Sequence, residues 1–496
     1  MGNDRLRRLC LAAAAGVLAA LALPPLGFPP LAWAALALLW GLAPPPRPLP
    51  LASPLPAAGL LWGAAAVLVS HRWLLWLHPL DWIGVPAPLS LPLCLLLWSA
   101  IALLGGGLVA LWLRLVGTLE AGRLSTALIG AALWGLAEVL LARGPLFWIG
   151  LGSASLPGDR PLAGLAALVG AGGLAALQVL IGWGLWRVCR PGSAGRVLLP
   201  LFLTLLLAAH LAGAVALAAI PSEAGTAERL LLLQPAIPTR RKFDLDQQLW
   251  LLRQLALAQR AALGVARTLV LPEGSLPLDQ PLPEPAAVEV LSGGFRRQGL
   301  EQRSSLLRFP PGSTRPRAWV DKHRLVPLGE WVPAAQLWRW SGLSAVGGLE
   351  SGAPSRLLSR PDGAVGVAIC YELADGQALA ASIRQGAGWL LASANLDPYP
   401  PLLQQQFTAL ARLRAIEGGR WLVSAANTGP SLAVDARGRL RAQLPSGRSG
   451  QVAVEIRRLQ GRTPYVLWGE WPLLLLLAVG IGARLRQPPV PAAPHP

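Results

Sequence analysis

Gly366-Val367-Ala368-Ile369-Cys370-Tyr371-Glu372 is the stretch on which the fold turns. An apolar run, Val365 to Ile369, stops on a thiol followed by an aromatic ring and an acid. Asp362-Gly363 before it and Asp375-Gly376 after it are turn-forming pairs, so the run reads as a short buried strand. Cys370 then stands at the strand's C-terminal end, the rim where α/β sheets place their chemistry. A cysteine there is either a nucleophile or a small buried hydrophobe. The remainder of the chain has to decide between them.

The 496 residues suggest more than one folding unit, and 53% of them are hydrophobic against 14% charged. That balance is too apolar for an ordinary soluble protein and points to membrane spans. The net charge of +18 could suit nucleic acid, but no basic block with interleaved aromatics occurs, so no nucleic-acid partner is expected. Nearly all the positive charge is arginine, Lys242 and Lys322 being the exceptions. Of the four cysteines, Cys10, Cys94 and Cys189 lie in or beside apolar runs, which leaves Cys370 alone in the polar part. With no CxxC pair and no His/Cys cluster, no metal and no other cofactor are expected.

Apolar runs near 9–23, 31–43, 57–77, 90–113, 126–142, 162–186 and 197–220 are read as seven spans, residues 31–43 being short and 126–142 marginal. Arg5, Arg7, Arg8, Arg47, Arg114, Arg123, Arg187, Arg190 and Arg196 gather on one side, and Arg143 and Arg160 on the other. By the positive-inside rule the N-terminus is cytoplasmic, and the chain emerges outside near residue 221. An eighth run, Val466 to Ala483, returns it inward and ends on Arg484 and Arg486. The expected parts are thus 1–220 in the membrane, an outer domain 221–465, a final span 466–485 and a disordered tail 486–496.

Between these parts short apolar runs alternate with helical patterns. Leu230–Leu233, Thr268–Leu271, Ala318–Asp321, Val365–Ile369, Trp389–Ala392, Trp421–Ser424, Leu432–Val434 and Gln451–Glu455 read as strands. Gln247–Val265 and Leu402–Glu417 read as amphipathic helices, and the whole as one α/β domain.

Two further strand ends carry ionisable groups. Glu273 follows Leu269-Val270-Leu271-Pro272, where an acid could serve as a general base; alone it reads as a solvated turn carboxylate. Lys322 follows Ala318–Asp321, where an ammonium could lower a thiol's pKa and steady an oxyanion; alone it reads as an exposed edge lysine. His323 ranks below Lys322, because neighbours along a strand point to opposite faces.

Glu, Lys and Cys on three strand ends in that order resemble the nitrilase superfamily, whose triad sits on an αββα sandwich. Asp321-Lys-His-Arg-Leu-Val-Pro-Leu-Gly-Glu-Trp-Val-Pro333, Ala368-Ile-Cys-Tyr-Glu372, Arg414-Ala-Ile-Glu-Gly-Gly-Arg420 and Ala426-Asn-Thr-Gly429, together with the layout of spans, resemble more narrowly the apolipoprotein N-acyltransferase family.

That resemblance implies a bacterial inner-membrane enzyme with its catalytic domain on the periplasmic side. A membrane phospholipid would be the acyl donor and a diacylglyceryl apolipoprotein the acceptor, with the last step of lipoprotein maturation as outcome. Cys370 would carry the acyl group as a thioester in a ping-pong cycle. Glu273 would be the base and Lys322 the stabiliser of tetrahedral intermediates, with Glu330, Tyr371 and Glu372 in support. Trp331, Trp338 and Trp340 fall in a segment, about 331–349, expected to dip into the bilayer as a lipid-access arm. Nothing calls for more than a monomer. The chain departs from the family pattern at Asn395-Leu396-Asp397-Pro398-Tyr399, over the pocket, and at Phe243, where a tryptophan is usual. A membrane-tethered amidase on the same fold is the nearest alternative. A transporter with a regulatory outer domain is the next, with only Glu138 and Arg72 notable in the spans.

Overall fold

The computed structural model describes residues 2–45, 56–81, 85–190, 193–242, 244–327, 329–331 and 348–487. Phe243, Leu328, Trp338, Trp340 and the tail from 488 onward lie outside the described residues, as does most of the expected arm.

The N-terminal part is helical: α1 (Gly2–Ala22), α2 (Pro29–Gly41), α3 (Ala57–Ser70), α4 (Ala87–Thr118), α5 (Leu124–Ala142), a single turn α6 (Arg160–Ala163), α7 (Ala166–Val188) and α8 (Ser193–Ala219). Among the described residues α4, α5, α7 and the Val197–Ala219 stretch of α8 are long and apolar enough to cross a membrane, whereas α2 and α3 are shorter. The run expected over 57–77 is helical only to Ser70, and Arg72–Leu77 continue as a 3-10 turn. Nor is 162–186 one straight helix, since Gly170, at φ +69, breaks α7 near its start.

From Thr226 the pattern is α/β. In chain order the strands are β1 (Thr226–Gln234), β2 (Thr268–Leu278), β3 (Glu289–Gln298), β4 (Glu301–Phe309), β5 (Ala318–Asp321), β6 (Leu357–Leu358), β7 (Val365–Ile369), β8 (Trp389–Ala394), β9 (Leu422–Ala426), β10 (Leu432–Val434), β11 (Leu440–Gln443) and β12 (Gly450–Arg458). Six of them pair in the order β12-β1-β2-β3-β4-β5 and the other six in the order β11-β10-β9-β8-β7-β6. Among the described residues the four not anticipated are β3, β4, β6 and β11. β3 and β4 form an antiparallel hairpin rich in Arg, Gln, Gly and Ser, which hides the apolar alternation.

Side-chain alternation explains the layers. Leu230 and Leu232 of β1 join Val270, Leu291, Val367, Leu391 and Val423 in the core between the sheets. Their neighbours Leu231 and Leu233 point the other way, into a second cluster under α9 (Leu245–Ala262) with Leu255, Ala258 and Leu269. A strand covered on both faces reads as an unbroken leucine run, and each leucine so buried contributes about 1.5–3 kcal/mol. On the far side α10 (Gly376–Arg384) and α11 (Pro401–Gly418) cover the second sheet, completing an αββα sandwich. α11 also packs on α7, so this domain stands on the helical part through that face. The apolar run beginning at Val466 is divided at Gly469, φ +59, into α12 (Pro464–Trp468) and α13 (Trp471–Leu485) rather than forming one helix.

Candidate active site

β7 ends at Ile369, and the next residue, Cys370, takes φ +56, a left-handed conformation strained for a side chain with a Cβ. It opens a 3-10 turn, Cys370–Ala374, so the thiol stands at the strand's end, half-buried. Glu372, in that turn, fixes it: Oε2 accepts the Ile369 N–H at 2.9 Å. Its Oε1 accepts the N–H groups of His323 and Arg324, at 2.8 and 2.9 Å, and lies 2.7 Å from the Arg356 guanidinium. One buried carboxylate therefore joins the turn bearing the thiol to the strand end bearing the lysine.

Lys322 follows β5 and is 1% exposed. Its ammonium donates to Glu273 Oε1 at 2.8 Å and to Glu330 Oε1 at 2.7 Å. Glu330 Oε2 in turn accepts the Val326 N–H at 2.9 Å. Burial opposes the lysine's charge, but the Glu273 and Glu330 carboxylates outweigh it and hold the ammonium well above the ordinary lysine range. The Glu330 carboxyl is raised by burial, with Lys322 pulling it down and Glu273 pushing it up.

Glu273 is not at a strand's end. β2 continues to Leu278, and its pairing with β3 is interrupted between Leu271 and Leu276. The acid sits in that interruption, which frees its backbone from the ladder and turns its side chain towards Lys322. Its Oε2 accepts the Asn395 N–H at 3.1 Å, at the exit from β8.

The thiol's pKa is pushed up by burial and by Glu273, while Lys322 and the Tyr371 backbone N–H favour the thiolate. Cys370 is therefore a protonated thiol at rest, which needs a base at the moment of attack. Tyr371 donates its hydroxyl to the Leu325 carbonyl at 2.9 Å, and burial lifts its pKa to about 12. The Arg324 guanidinium lies 4.6 Å over its ring and donates to the Gly144 carbonyl in the helical part. His323 is turned away, its Nδ1 2.7 Å from the Gly352 carbonyl.

Of the residues singled out from sequence, Glu273, Lys322, Cys370, Glu330, Tyr371 and Glu372 come together here. Trp331 is 47% exposed nearby, and its companions Trp338 and Trp340 are not described. Among the described residues no group of three His, Cys, Asp or Glu is spaced to hold a metal ion.

Residues 15–184 match the apolipoprotein N-acyltransferase N-terminal domain, and 307–463 the carbon-nitrogen hydrolase family. The apolipoprotein N-acyltransferase of Prochlorococcus marinus (strain MIT 9313) is 49% identical over 508 residues, covering 98% of each chain. The chain belongs to the apolipoprotein N-acyltransferase family. The enzyme of that name from Parasynechococcus marenigrum (strain WH8102) is 46% identical, over 94% of this chain and 98% of its own. Among solved structures, Saccharomyces cerevisiae Nit3, a member of branch 10 of the nitrilase superfamily, aligns at 17% identity over 47% of this chain and 90% of its own, with a TM-score of 0.35.

For this N-acyltransferase family member, sequence reasoning passed over three groups at the site. Arg356 compensates Glu372 with no sequence signal to mark it, and the Asn395 N–H, in the loop that departs from the family pattern, holds Glu273. The third, Lys242, donates to the Glu273 backbone carbonyl at 2.7 Å. Its signal was its rarity, as one of two lysines in an arginine-rich chain.

Proposed function

We propose that this chain transfers an acyl group from a membrane phospholipid to the α-amino group of the S-diacylglyceryl cysteine of apolipoproteins, through a thioester on Cys370. The observation that carries the reading is the buried Lys322 bridging two carboxylates beside a half-buried thiol, in a chain related over its whole length to enzymes of that name.

Glu273 takes the thiol proton as sulfur attacks the ester carbonyl. Lys322 and the Tyr371 N–H face the oxyanion of the tetrahedral intermediate. Collapse expels the lysophospholipid alkoxide, which leaves with the proton held by Glu273. The amine of the acceptor then attacks the thioester, Glu273 takes its proton, and the thiol is regenerated with a new amide as product. Dividing the transfer in two avoids holding two large lipids at once. Water must be kept out meanwhile, or the thioester hydrolyses.

In this reading residues 1–220 and the helix after Glu470 lie in the bacterial inner membrane, and 221–465 is a periplasmic catalytic domain. The sides follow from the arginine distribution. Both substrates are embedded in the bilayer, so helices beneath the catalytic domain bring them to it. The segment after Trp331 admits the acyl chains, and the enzyme acts as a monomer.

The test incubates purified protein with phospholipid labelled in its acyl chains, then adds a diacylated lipopeptide. Label should appear on Cys370 and move to the lipopeptide amine. Absence of label on the wild type, or undiminished label on Cys370→Ala, refutes the reading; release of free fatty acid alone indicates a hydrolase.

A further inference from the structure

We infer that Lys242 is a positioning residue for Glu273, holding by its charge the backbone of the base across the interruption in β2. The inference rests on the acyl-transfer reading for its kinetic consequence, and on geometry for the rest.

Residues within a broken ladder lose the inter-strand bonds that keep neighbouring residues in place. At Glu273 a side chain supplies the replacement. Lys242 is 7% exposed, and its ammonium donates to the Glu273 carbonyl at 2.7 Å. The fit is close: Gly274, at φ +60, follows the base, and a Cβ there would stand 2.9 Å from the ammonium nitrogen. Glu273 is thus gripped three ways, at Oε1 by Lys322, at Oε2 by the Asn395 N–H and at its carbonyl by Lys242.

The lysine is itself anchored to the loop over the pocket. It follows the turn Thr239–Arg241, whose Thr239 N–H donates to Asp397 Oδ2 at 2.7 Å. Asn395 Nδ2 donates to Thr239 Oγ1 at 2.7 Å, and Asn427 Nδ2 to Asn395 Oδ1 at 2.7 Å. The Asn395–Tyr399 loop and the 236–242 segment are therefore one hydrogen-bonded unit. That unit bears on Glu273 from both ends. A lysine placed only to satisfy a carbonyl would serve as well uncharged. A long, hydrated ammonium is costly to bury, and here it faces Glu273 and Asp397 as anions, Lys322 as a cation and the Cys370 thiol. Burial brings its pKa down to about 8, so it is charged at neutral pH and loses that charge just above.

Two rates on the full-length protein in detergent micelles test this. One is single-turnover thioester formation at saturating labelled phospholipid. The other is alkylation of Cys370 by iodoacetamide, followed on its own peptide by mass spectrometry and needing no lipid. Lys242→Met should slow both about 10²-fold, the cost of a base displaced by about 1 Å, with the half-saturating lipid concentration within about twofold of wild type. Wild-type thioester formation should fall as pH passes about 8, whereas Lys242→Arg, charged throughout, should hold its own rate across that range. A folded Lys242→Met with both rates within twofold of wild type overturns the inference. So does a Lys242→Arg profile that falls in step with wild type, which decides the matter if the methionine variant does not fold. Should wild type form no thioester while alkylation still depends on Lys242, the acyl-transfer reading fails and the positioning role stands.

Discussion

Glu372 Oε1 accepts the backbone N–H of His323 at 2.8 Å, across 49 residues of sequence, so the base's cation and the nucleophile cannot move apart independently. The Arg356 guanidinium, 2.7 Å away, compensates that carboxylate, and both side chains are almost wholly buried. Glu372→Gln would keep the shape but turn an NH₂ towards backbone donors and leave Arg356 uncompensated. Breaking a buried pair from one side costs about 3–5 kcal/mol. Thermal unfolding in micelles should show a loss of that size, with thioester formation lost too. Removing both charges, in Glu372→Gln with Arg356→Met, should be milder than the sum of the single changes.

The second relation is Lys322 with Glu330. Because burial raises the Glu330 carboxyl, it takes up a proton at higher pH than an exposed glutamate, and Lys322 then loses one of two anions. The working form is the ionised one, present above the raised value and lost as pH falls through it. Wild-type thioester formation should therefore fail on the acid side above the ordinary carboxylate range. In Glu330→Gln the amide oxygen still accepts from Lys322, the charge is absent at every pH, and that limb should move lower. The rate at neutral pH should drop about 10²-fold, because the amide NH₂ would face the Val326 N–H that Glu330 Oε2 accepts and so shift the side chain that holds Lys322. Rates measured from pH 4.5 to 8 on both proteins check this, and superimposable limbs would count against it.

What sequence could and could not disclose follows from range. β5, β7 and β10 were legible to the residue: β7 and β10 are short apolar runs buried along their whole length, and β5, though its Trp319 is exposed, carries the strand-favouring pair Trp319-Val320. β3 and β4 were not, since half of their length is polar and the pairing of Gly293 with Leu306 leaves no period-2 trace. Glu273, Lys322 and Cys370 could be named because each follows an apolar run. The interruption that holds Glu273, the left-handed turn at Cys370 and the Arg356 partner of Glu372 depend on contacts distant in sequence. Gly469 hid inside an otherwise apolar run in the same way, and hydropathy counted one helix where two form.

Stability should hinge on Arg360, which leaves the second sheet to reach the first. It lies 2.5 Å from both Glu228 of β1 and Glu289 of β3, and donates to Thr268 Oγ1 of β2 at 3.0 Å. Arg360→Met takes the nearest cation from Glu228, leaving Arg458 at 3.6 Å, and one of two cations from Glu289, leaving Arg308, and should cost about 3 kcal/mol, the low end for breaking a buried pair. The acid response supplies a second reading. Burial disfavours ionised Glu289, but Arg360 and Arg308 outweigh it and hold its pKa below the ordinary 4.5. A depressed carboxyl contributes stability above its unfolded value, and that contribution is lost as pH falls through the lower folded one. Wild type should therefore lose thermal stability more steeply than Arg360→Met below about pH 4.5. Equal slopes would mean that the cluster does not carry the acid sensitivity.

The last prediction concerns how the α/β domain stands on the helices. At Gly170 the backbone of α7 leaves the helical region, at φ +69, and the next N–H, of Ala171, points out of the helix. Glu417, near the end of α11, accepts it at 2.6 Å through Oε1, while Oε2 is paired with Arg414. Tyr465 packs directly on Gly170, so a Cβ there would fall 2.3 Å from its ring, and the left-handed φ would be strained besides. Gly170→Ala should cost at least the about 1–3 kcal/mol of such strain, with the clash added. Straightening α7 would relieve both, but it would return the Ala171 N–H to the helix and leave Glu417 without it. The variant should therefore separate the two parts. Scanning calorimetry in micelles should resolve an early transition of the α/β domain, and protease should cut sooner between α8 and β1, near 220–225. Glu417→Gln, whose amide oxygen can still accept from Ala171, should reproduce the weakening less strongly. A single cooperative transition in Gly170→Ala at the wild-type temperature would show that this joint does not couple the two parts.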